Sequence, residues 1–361
     1  MQQVLKDNEA RFTGCLLGTA VGDSLGLPYE GLSPRRAAKL FPDTTRHHLV
    51  FGKGMVSDDT EHACFVAQAL IRSQGDVTVF QKRLARSLRW WLLALPAGVG
   101  LATMRSIGKL WLGFSPQKSG VFSAGNGPAM RSPILGLAYG HDPEKLIQFV
   151  KASTEITHSD TKAYYAALAV ALATRESAGA ATPTAERFLR MLRDLLLQED
   201  AQELHELLQR AADSAAGNET VAIFAANIGS KKGISGYSYH TVPCVLQVWF
   251  GNAEDYERGL QDIIKAGGDT DTTGAIYGGI VGARTGKSEI PVSWLSNIVE
   301  WPRTIGWIER LANATATAVT ERGQPSTVEC PRYFVPGIVL RNFFFLMIVL
   351  AHGFRRLAPP W

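Results

Sequence analysis

The chain contains 361 residues, of which 46% are hydrophobic, and it carries a formal net charge of +4. This length and composition predict a folded protein with a sizeable core, organised as a single domain over residues 1–361. Lysine and arginine are scattered and form no long basic run, so the composition carries no nucleic-acid signature, whereas a small charged substrate stays open.

Apolar residues recur at helical spacing along most of the chain, whereas the alternation typical of strands is nearly absent. The pattern therefore predicts an all-α fold. The predicted helices cover, in chain order, residues of about 8–25, 58–72, 79–93, 143–153, 160–174, 185–197, 201–212 and 272–284. The least regular stretches are 31–55, 97–129 and 229–240, and long loops of this kind in a helical domain are usually functional or disordered.

Two helix starts carry capping signals. Asp142 directly before Pro143 predicts an N-cap followed by a first-turn proline. Asp58 and Glu61 have the spacing of a capping box, in which the two side chains satisfy backbone N–H groups of the first turn.

Both ends of the chain bear on its location. The apolar C-terminal segment is interrupted by Arg341 and Asn342, and the run that remains, Phe343 to Ala351, is far shorter than the roughly 20 residues of a membrane span. A buried helix over about 336–354 is predicted, with an interfacial anchor as the weaker alternative and no membrane partner. The N-terminus lacks the apolar run of a secretory signal, and four widely spaced cysteines favour reduced thiols. We therefore expect a cytoplasmic protein.

Glycine occupies every fourth position in two of the predicted helices, which places it along one face of each. The positions are Gly14, Gly18, Gly22 and Gly26 in the first helix and Gly274, Gly278 and Gly282 in the second. A glycine inside a helix costs about 1 kcal/mol relative to alanine, so close backbone packing is the expected compensation. The two helices either pack separately in a crowded interior or pack against each other, which would bring their acidic ends into one pocket.

Acidic clusters begin two helices, about two hundred residues apart. They are Ser57-Asp58-Asp59-Thr60 and Asp269-Thr270-Asp271-Thr272. Helix capping explains one or two such groups, at about 0.3–1 kcal/mol each. Two carboxylates and a hydroxyl in each cluster exceed that need, and oxygen ligands of this kind suit Mg²⁺ or Mn²⁺ better than zinc. Four carboxylates in one pocket would repel one another unless cations neutralised them.

Five segments, read in order, resemble the motif set of the ADP-ribosylglycohydrolases, and they lie between residues 14 and 284. They are GCLLGTAVGDSLGLPYEG, GMVSDDTE, GNGPAMR, THSD and GGDTDTTGAIYGGIVGA. The resemblance implies a compact multi-helix orthogonal bundle that holds two divalent cations, Mg²⁺ or Mn²⁺, in a cleft for ADP-ribose. The metal ligands implied by motif match are Ser57, Asp58, Asp59, Asp269, Asp271 and Thr272.

The same resemblance assigns further roles. Glu30 falls where relatives carry an acidic residue on a loop over the metals, so Glu30, Asp59 and Asp269 are the catalytic candidates. The segment around the glycines resembles the diphosphate-binding loop, although a lone GNG is also an ordinary turn. The ADP-ribose-binding candidates are Phe122, Ser123, Gly125, Asn126, Gly127 and His158. Phe122 would stack on adenine unless it lies in the core, and His158 would contact the nucleotide unless it belongs to a local hydrogen-bond network.

The implied reaction is hydrolysis of the bond between ADP-ribose and a modified acceptor, first of all an arginine of an ADP-ribosylated protein. Serine, another side chain or a nucleic-acid base stays open as acceptor. A second hypothesis is an immunity protein that blocks a cognate ADP-ribosyltransferase toxin by binding it. A third, a metal-dependent phosphohydrolase, ranks last because it does not account for the glycine-striped helices or for the GNG and THSD segments.

Overall fold

The computed structural model of the protein describes residues 2–321 and 328–359. Within these residues the chain forms α-helices, short 3₁₀ turns and isolated β-bridges, without a strand, which confirms the all-α prediction. The helices are α1 (Gln2–Gly26), α2 (Pro34–Leu40), α3 (Asp58–Ser73), α4 (Val77–Leu93), α5 (Leu101–Trp111), α6 (Gly127–Met130), α7 (Pro133–Tyr139), α8 (Pro143–Glu155), α9 (Thr161–Ser177), α10 (Ala185–Leu195), α11 (Gln202–Ala216), α12 (Val221–Asn227), α13 (Ser238–Gly251), α14 (Tyr256–Lys265), α15 (Thr270–Thr285), α16 (Val292–Ser296), α17 (Ile305–Thr320) and α18 (Pro336–Arg355).

All eight predicted helices are present, but two predicted loops contain helices. The stretch 31–55 holds α2, and the stretch 97–129 holds α5 and the start of α6, so the prediction of irregular structure there was wrong. In α5 only Ile107 and Leu110 provide large buried apolar side chains, and Gly108 interrupts the helix-forming residues between them. The sequence signal was weak because so short a helix buries only a narrow face.

The centre of the fold is an antiparallel pair formed by α1 and α15, whose residues are buried on nearly every side. The glycines of the two helices face each other, because a Cβ added to Gly18 would lie 2.2 Å from the carbonyl oxygen of Gly278, and one added to Gly22 would lie 2.0 Å from that of Gly274. The backbones are therefore in direct contact, and the interpretation that the two glycine-striped helices pack against each other is confirmed.

Other helices surround this pair. α17 packs along α1, α14 packs along α15, and α3 contacts both α1 and α17. The hydroxyl of Tyr256 on α14 donates to the backbone carbonyl of Gly18 at 2.8 Å, which adds a polar contact to the helix pair. Because antiparallel packing places the C-terminal end of α1 beside the N-terminal end of α15, the loop after Gly26 begins next to Asp269.

The C-terminal helix α18 differs from its prediction. A helix does form over about 336–354, but the prediction that it is buried was wrong, because one broad face of it is exposed. The inner face carries the buried Arg341, Asn342 and Phe345, while Phe343 is 58% exposed. Of the described helices, α18 alone is long and apolar enough to cross a membrane by length and composition.

Candidate active site

The loop after α1 and the turn before α15 are joined by backbone hydrogen bonds. Gly31 donates its N–H to the carbonyl of Gly268 at 2.7 Å, and Gly268 donates to the carbonyl of Leu32 at 2.8 Å. Gly268 has φ +86°, a conformation that favours glycine, and a Cβ there would lie 2.0 Å from a backbone oxygen of Ile234. This pairing places Glu30 at the rim of the site, one residue before the bonded Gly31.

A residue that the sequence analysis missed, Asp23 on α1, holds the N-terminal end of α3. Its fully buried carboxylate accepts hydrogen bonds from the backbone N–H groups of Ser57 and Thr60 and from the Thr60 hydroxyl. Burial raises the pKa of Asp23 to about 7, while these hydrogen bonds pull it down. The conspicuous GDSLG segment contained this acid, but a single aspartate within a glycine-rich helix gave no sign of its target.

The two acidic clusters meet. The hydroxyl of Thr272 donates to Oδ2 of Asp59 at 3.3 Å, and the hydroxyl of Ser57 donates to the same oxygen at 3.0 Å. Residues separated by more than two hundred positions therefore share one carboxylate. Asp271, one residue before Thr272, is also buried.

Helix capping accounts for only part of these clusters, since the Ser57 hydroxyl accepts from the N–H of Asp59. Ser57, not Asp58, is the N-cap of α3, and Asp269 precedes α15 without a side-chain capping bond. The predicted capping box was wrong, because Glu61 turns inward, where it accepts from Trp91 Nε1 at 2.6 Å and pairs with Arg303 at 2.6 Å. At Asp142, by contrast, the predicted N-cap is confirmed by its bond to the N–H of Lys145.

Burial and mutual repulsion disfavour the charged forms of the carboxylates in this cluster. Burial, followed by repulsion from neighbouring acids, raises the pKa values of Asp58, Asp59 and Asp271 well above the usual aspartate range. Burial also raises the pKa of Asp269, although a hydrogen bond from Asn126 opposes it. So many buried acids in contact favour a positive charge among them.

Two buried carboxylate oxygens of the cluster indicate which kind of ligand the site can bind. Asp59 Oδ1 and Asp271 Oδ1 are buried and accept no hydrogen bond from any described residue. An unpaired buried acceptor costs about 1–3 kcal/mol, so a hard cation would satisfy both oxygens. The described His, Cys, Asp and Glu side chains do not by themselves enclose a ready three-ligand position, but the hydroxyls of Ser57 and Thr272 add oxygen donors. The residues present therefore fit a divalent metal ion.

The predicted diphosphate loop lies beside the second cluster. Asn126 donates its side-chain amide to Asp269 Oδ2 at 2.6 Å and to the hydroxyl of Thr241 at 3.0 Å. Its backbone N–H is engaged with the carbonyl of Gly236 at 3.0 Å, so this N–H is not free for a phosphate. The Ser123 hydroxyl accepts from the N–H of Gly125 within the turn. The loop and the acids thus form one continuous site.

Phe122 and His158 are placed differently. Phe122 is 85% exposed, which excludes the core alternative and leaves its ring open to a ligand. His158 is buried beneath the loop, where its ring packs against Gly125 and Gly127 and its Nδ1 lies 2.9 Å from the Thr157 hydroxyl. Burial lowers the pKa of His158 to about 3, so its ring is neutral.

A basic residue near Glu30 was also missed by the sequence analysis. Arg356, just after α18, donates to the carbonyl of Pro28 at 3.1 Å and its backbone carbonyl accepts from Arg36. Partial burial and the Asp269 carboxylate raise the pKa of the rim residue Glu30, and Arg356 lowers it. Arg356 lies among apolar C-terminal residues far along the chain, so no spacing pattern connected it to the acids.

In this all-α scaffold, the central helix pair places an acidic cluster next to a glycine-containing loop. This arrangement defines the protein as a helical enzyme. The model of the ADP-ribosylglycohydrolase family matches residues 5–325, so the chain belongs to the ADP-ribosylglycohydrolase family and is a hydrolase of ADP-ribosyl bonds.

Relatives and a solved structure agree with this assignment. The chain is 27% identical over 294 residues to the ADP-ribosyl-[dinitrogen reductase] glycohydrolase of Rhodospirillum rubrum, covering 80% of this chain and 90% of the relative. It is 26% identical over 356 residues to the ADP-ribosylhydrolase ARH3 of Gallus gallus, covering 84% and 92%. A structure described as an ADP-ribosylglycohydrolase-related protein complex is 28% identical with a TM-score of 0.66, covering 87% of this chain and 99% of that chain.

Proposed function

We propose that the acidic cluster binds two divalent cations, Mg²⁺ or Mn²⁺, and that the enzyme removes ADP-ribose from arginine side chains of modified proteins. The observation that carries the metal is the pair of buried, unpartnered oxygens of Asp59 and Asp271. The remaining ligands would be Ser57, Asp58, Asp269 and Thr272. When bound, such cations supply Lewis acidity and hold the ribose hydroxyls and a water.

We assign the proton transfer at the scissile bond to an acidic residue of this chain. Glu30 stands at the rim, where it can give or take a proton at the scissile bond, and burial raises its pKa above that of a free glutamate. Asp59 and Asp269 are the alternatives, but both have hydrogen bonds that fix them inside the cluster. Glu30 is therefore our first assignment.

ADP-ribose would lie between the cluster and the loop 122–127. The exposed ring of Phe122 stacks on adenine. The Ser123 hydroxyl and the N–H of Gly127 approach the diphosphate, because the N–H groups of Gly125 and Asn126 already donate within the protein. Asn126 orients Asp269 through its side chain, and the neutral His158 supports the two glycines from below. The bound ligand is thus oriented by one short segment.

An arginine acceptor suits the charge of the site. Six carboxylates, those of Asp23, Glu30, Asp58, Asp59, Asp269 and Asp271, share this site with the nearby cation Arg356. Two divalent cations would leave these ionised groups with a net negative charge, which a guanidinium leaving group offsets and a serine hydroxyl does not. No observation on the described residues favours blockade of a transferase toxin.

The test measures ADP-ribose release from arginine-linked and serine-linked substrates, with Mg²⁺, with Mn²⁺ and with a chelator. Asp271→Asn is compared with Asp194→Asn, which alters an exposed acid on α10. We expect metal-dependent release from the arginine substrate by the wild type and by Asp194→Asn, and its loss in Asp271→Asn. Release that persists in the chelator would overturn the metal, and release from serine alone would overturn the acceptor.

A further inference from the structure

The helix α18 lies outside the residues that match the family and carries an unpartnered apolar face. The family model ends at residue 325, ahead of Pro336, where α18 begins. The large exposed side chains of the helix share one broad face and are Val339, Leu340, Phe343, Phe344, Leu346, Met347, Leu350 and Phe354. Monomeric proteins rarely leave such a continuous apolar surface in water, because its burial is favourable.

The inner face of α18 fixes the helix flat on the protein. The buried Arg341 bonds to Glu300 at 3.1 Å, and Asn342 donates to the carbonyl of Ala94 at 2.7 Å. Withdrawing Arg341 into a bilayer core would break a buried ion pair, which is strongly unfavourable. The helix therefore lies along the surface, with an apolar ridge of about 23 Å turned outward.

A cationic cavity adjoins this ridge. The cavity has a volume of about 920 Å³, and its wall includes Val335 and Val339 from the start of the ridge. Five arginines line it, Arg72, Arg83, Arg86, Arg303 and Arg332, and none of its described lining residues is acidic. Arg303 pairs with Glu61 and Arg332 pairs with Glu329 at 3.7 Å, whereas Arg72, Arg83 and Arg86 are exposed.

Aromatic side chains border the same surface. Trp90, in the cavity wall, is 59% exposed, and Trp301 is 46% exposed and packs against Phe334 with ring centroids 6.0 Å apart. Tryptophan favours the boundary between an apolar layer and water, since its ring is amphipathic. Apolar ridge, aromatic border and arginines together form what we call the docking face.

We propose that the docking face binds the surface of an anionic lipid bilayer, with α18 lying in the interface and the arginines on the headgroups. Apolar burial and attraction to anionic lipids act together in such contacts. A second copy of the chain is the competing occupant. In a parallel twofold contact the cavity arginines of the two copies would meet, and in an antiparallel one they would face the other end of α18, which carries Arg355, so both arrangements bring like charges together. The proposal takes up the interfacial anchor that the sequence analysis left as the weaker alternative for this segment.

The test is co-sedimentation of the purified protein with phosphatidylglycerol-containing vesicles and with pure phosphatidylcholine vesicles. Phe343→Ser with Met347→Ser removes two exposed apolar groups, and Leu197→Ser, at an 81% exposed site elsewhere, is its control. Arg83→Gln with Arg86→Gln removes charge, and Arg190→Gln with Arg193→Gln on α10 is its control. We expect the controls to bind like the wild type.

We expect binding to the anionic vesicles that weakens about fivefold or more per lost arginine, falls with salt, and is lost in the apolar variant. If Phe343→Ser with Met347→Ser does not fold, the comparison of Arg83→Gln with Arg86→Gln against its control decides the result. Absence of binding to anionic vesicles, or equal binding to neutral ones, would overturn the proposal. A dimer in ultracentrifugation that Phe343→Ser with Met347→Ser converts to a monomer would assign the face to a second copy instead.

Discussion

Both carboxylate oxygens of Asp23 lie 2.9 Å from the backbone nitrogen of Ser57, so the first helix of the chain holds the start of α3 directly. Asp23 also lies on α1, which contacts α15 through backbone atoms. One helix, α1, therefore positions both acidic clusters. Its glycine face contacts α15, which begins at the second cluster, and its Asp23 carboxylate holds the first cluster.

Replacing Asp23 tests this arrangement. Asp23→Ala leaves the N–H groups of Ser57 and Thr60 buried without an acceptor, at about 1–3 kcal/mol each, so we expect lower stability and lost ADP-ribose release. Asp23→Asn keeps one acceptor oxygen and should lose less. Urea unfolding and release assays measure both, and equal stability of the alanine variant and the wild type would contradict the role.

The stability of the metal-free protein should fall as pH rises. Asp23 has a folded-state pKa of about 7 against 3.8 for a free aspartate, and those of Asp59 and Asp271 are also raised. The folded state thus binds more protons than the unfolded state, and its stability declines from about pH 4 through about pH 7. Added Mg²⁺ should flatten this decline. Unfolding curves at about pH 4 and about pH 7 measure this decline in stability. If Asp271→Asn lost stability between these pH values as steeply as the wild type, the prediction would be contradicted.

Asn126 should matter through Asp269. Asn126→Ala removes the 2.6 Å bond to Asp269, and loss of such a supporting bond typically costs 10- to 100-fold in metal affinity or activity. Thr241→Val is the matched control, because it removes the other partner of Asn126 and keeps the bond to Asp269. Metal titration and kcat/KM are the measurements, and similar losses in both variants would indicate a general effect on the loop.

Arg356 should set the acidic limb of the pH profile. It lowers the pKa of Glu30, so Arg356→Gln should raise that pKa and move the limb of kcat/KM to higher pH if ionised Glu30 acts as a base. Arg355→Gln is the control, since Arg355 stacks on Phe41 near the same helix end. A limb that moves equally in both variants would show that α18, not Arg356, is responsible.

Because α1 and α15 are in backbone contact, we expect alanine to destabilise the protein at a glycine of this pair but not at a glycine of α5. Gly278→Ala would place a Cβ 2.1 Å from the carbonyl oxygen of Gly18, and we expect a loss of about 3 kcal/mol in unfolding free energy. Gly108→Ala, inside α5, meets no atom within 4 Å and should gain up to about 1 kcal/mol. Chemical denaturation of both variants measures the difference.

The sequence predicted the parts of the site that lie in local motifs and missed those that depend on distant packing. Glycine spacing predicted a closely packed face on each of α1 and α15, because a repeat of four residues defines a helix face, but it left open whether the two faces meet. Glu61 was misassigned as a cap, since its partners Trp91 and Arg303 lie 30 and 242 positions away. The exposure of α18 was missed because composition measures how apolar a segment is but not whether anything covers it.

The glycine contact also fixes the register of α1 against α15. Two smooth backbones with a glycine at every fourth position can interlock again only after a slide of four residues, which is about 6 Å along the helix axis. A slide of that size would separate the Thr272 hydroxyl from Asp59, now 3.3 Å apart, and would leave Glu30 beside the wrong turn of α15. A smaller slide would press side chains that flank the glycines against the opposite backbone, so the glycine contact holds the register that brings Thr272 to Asp59.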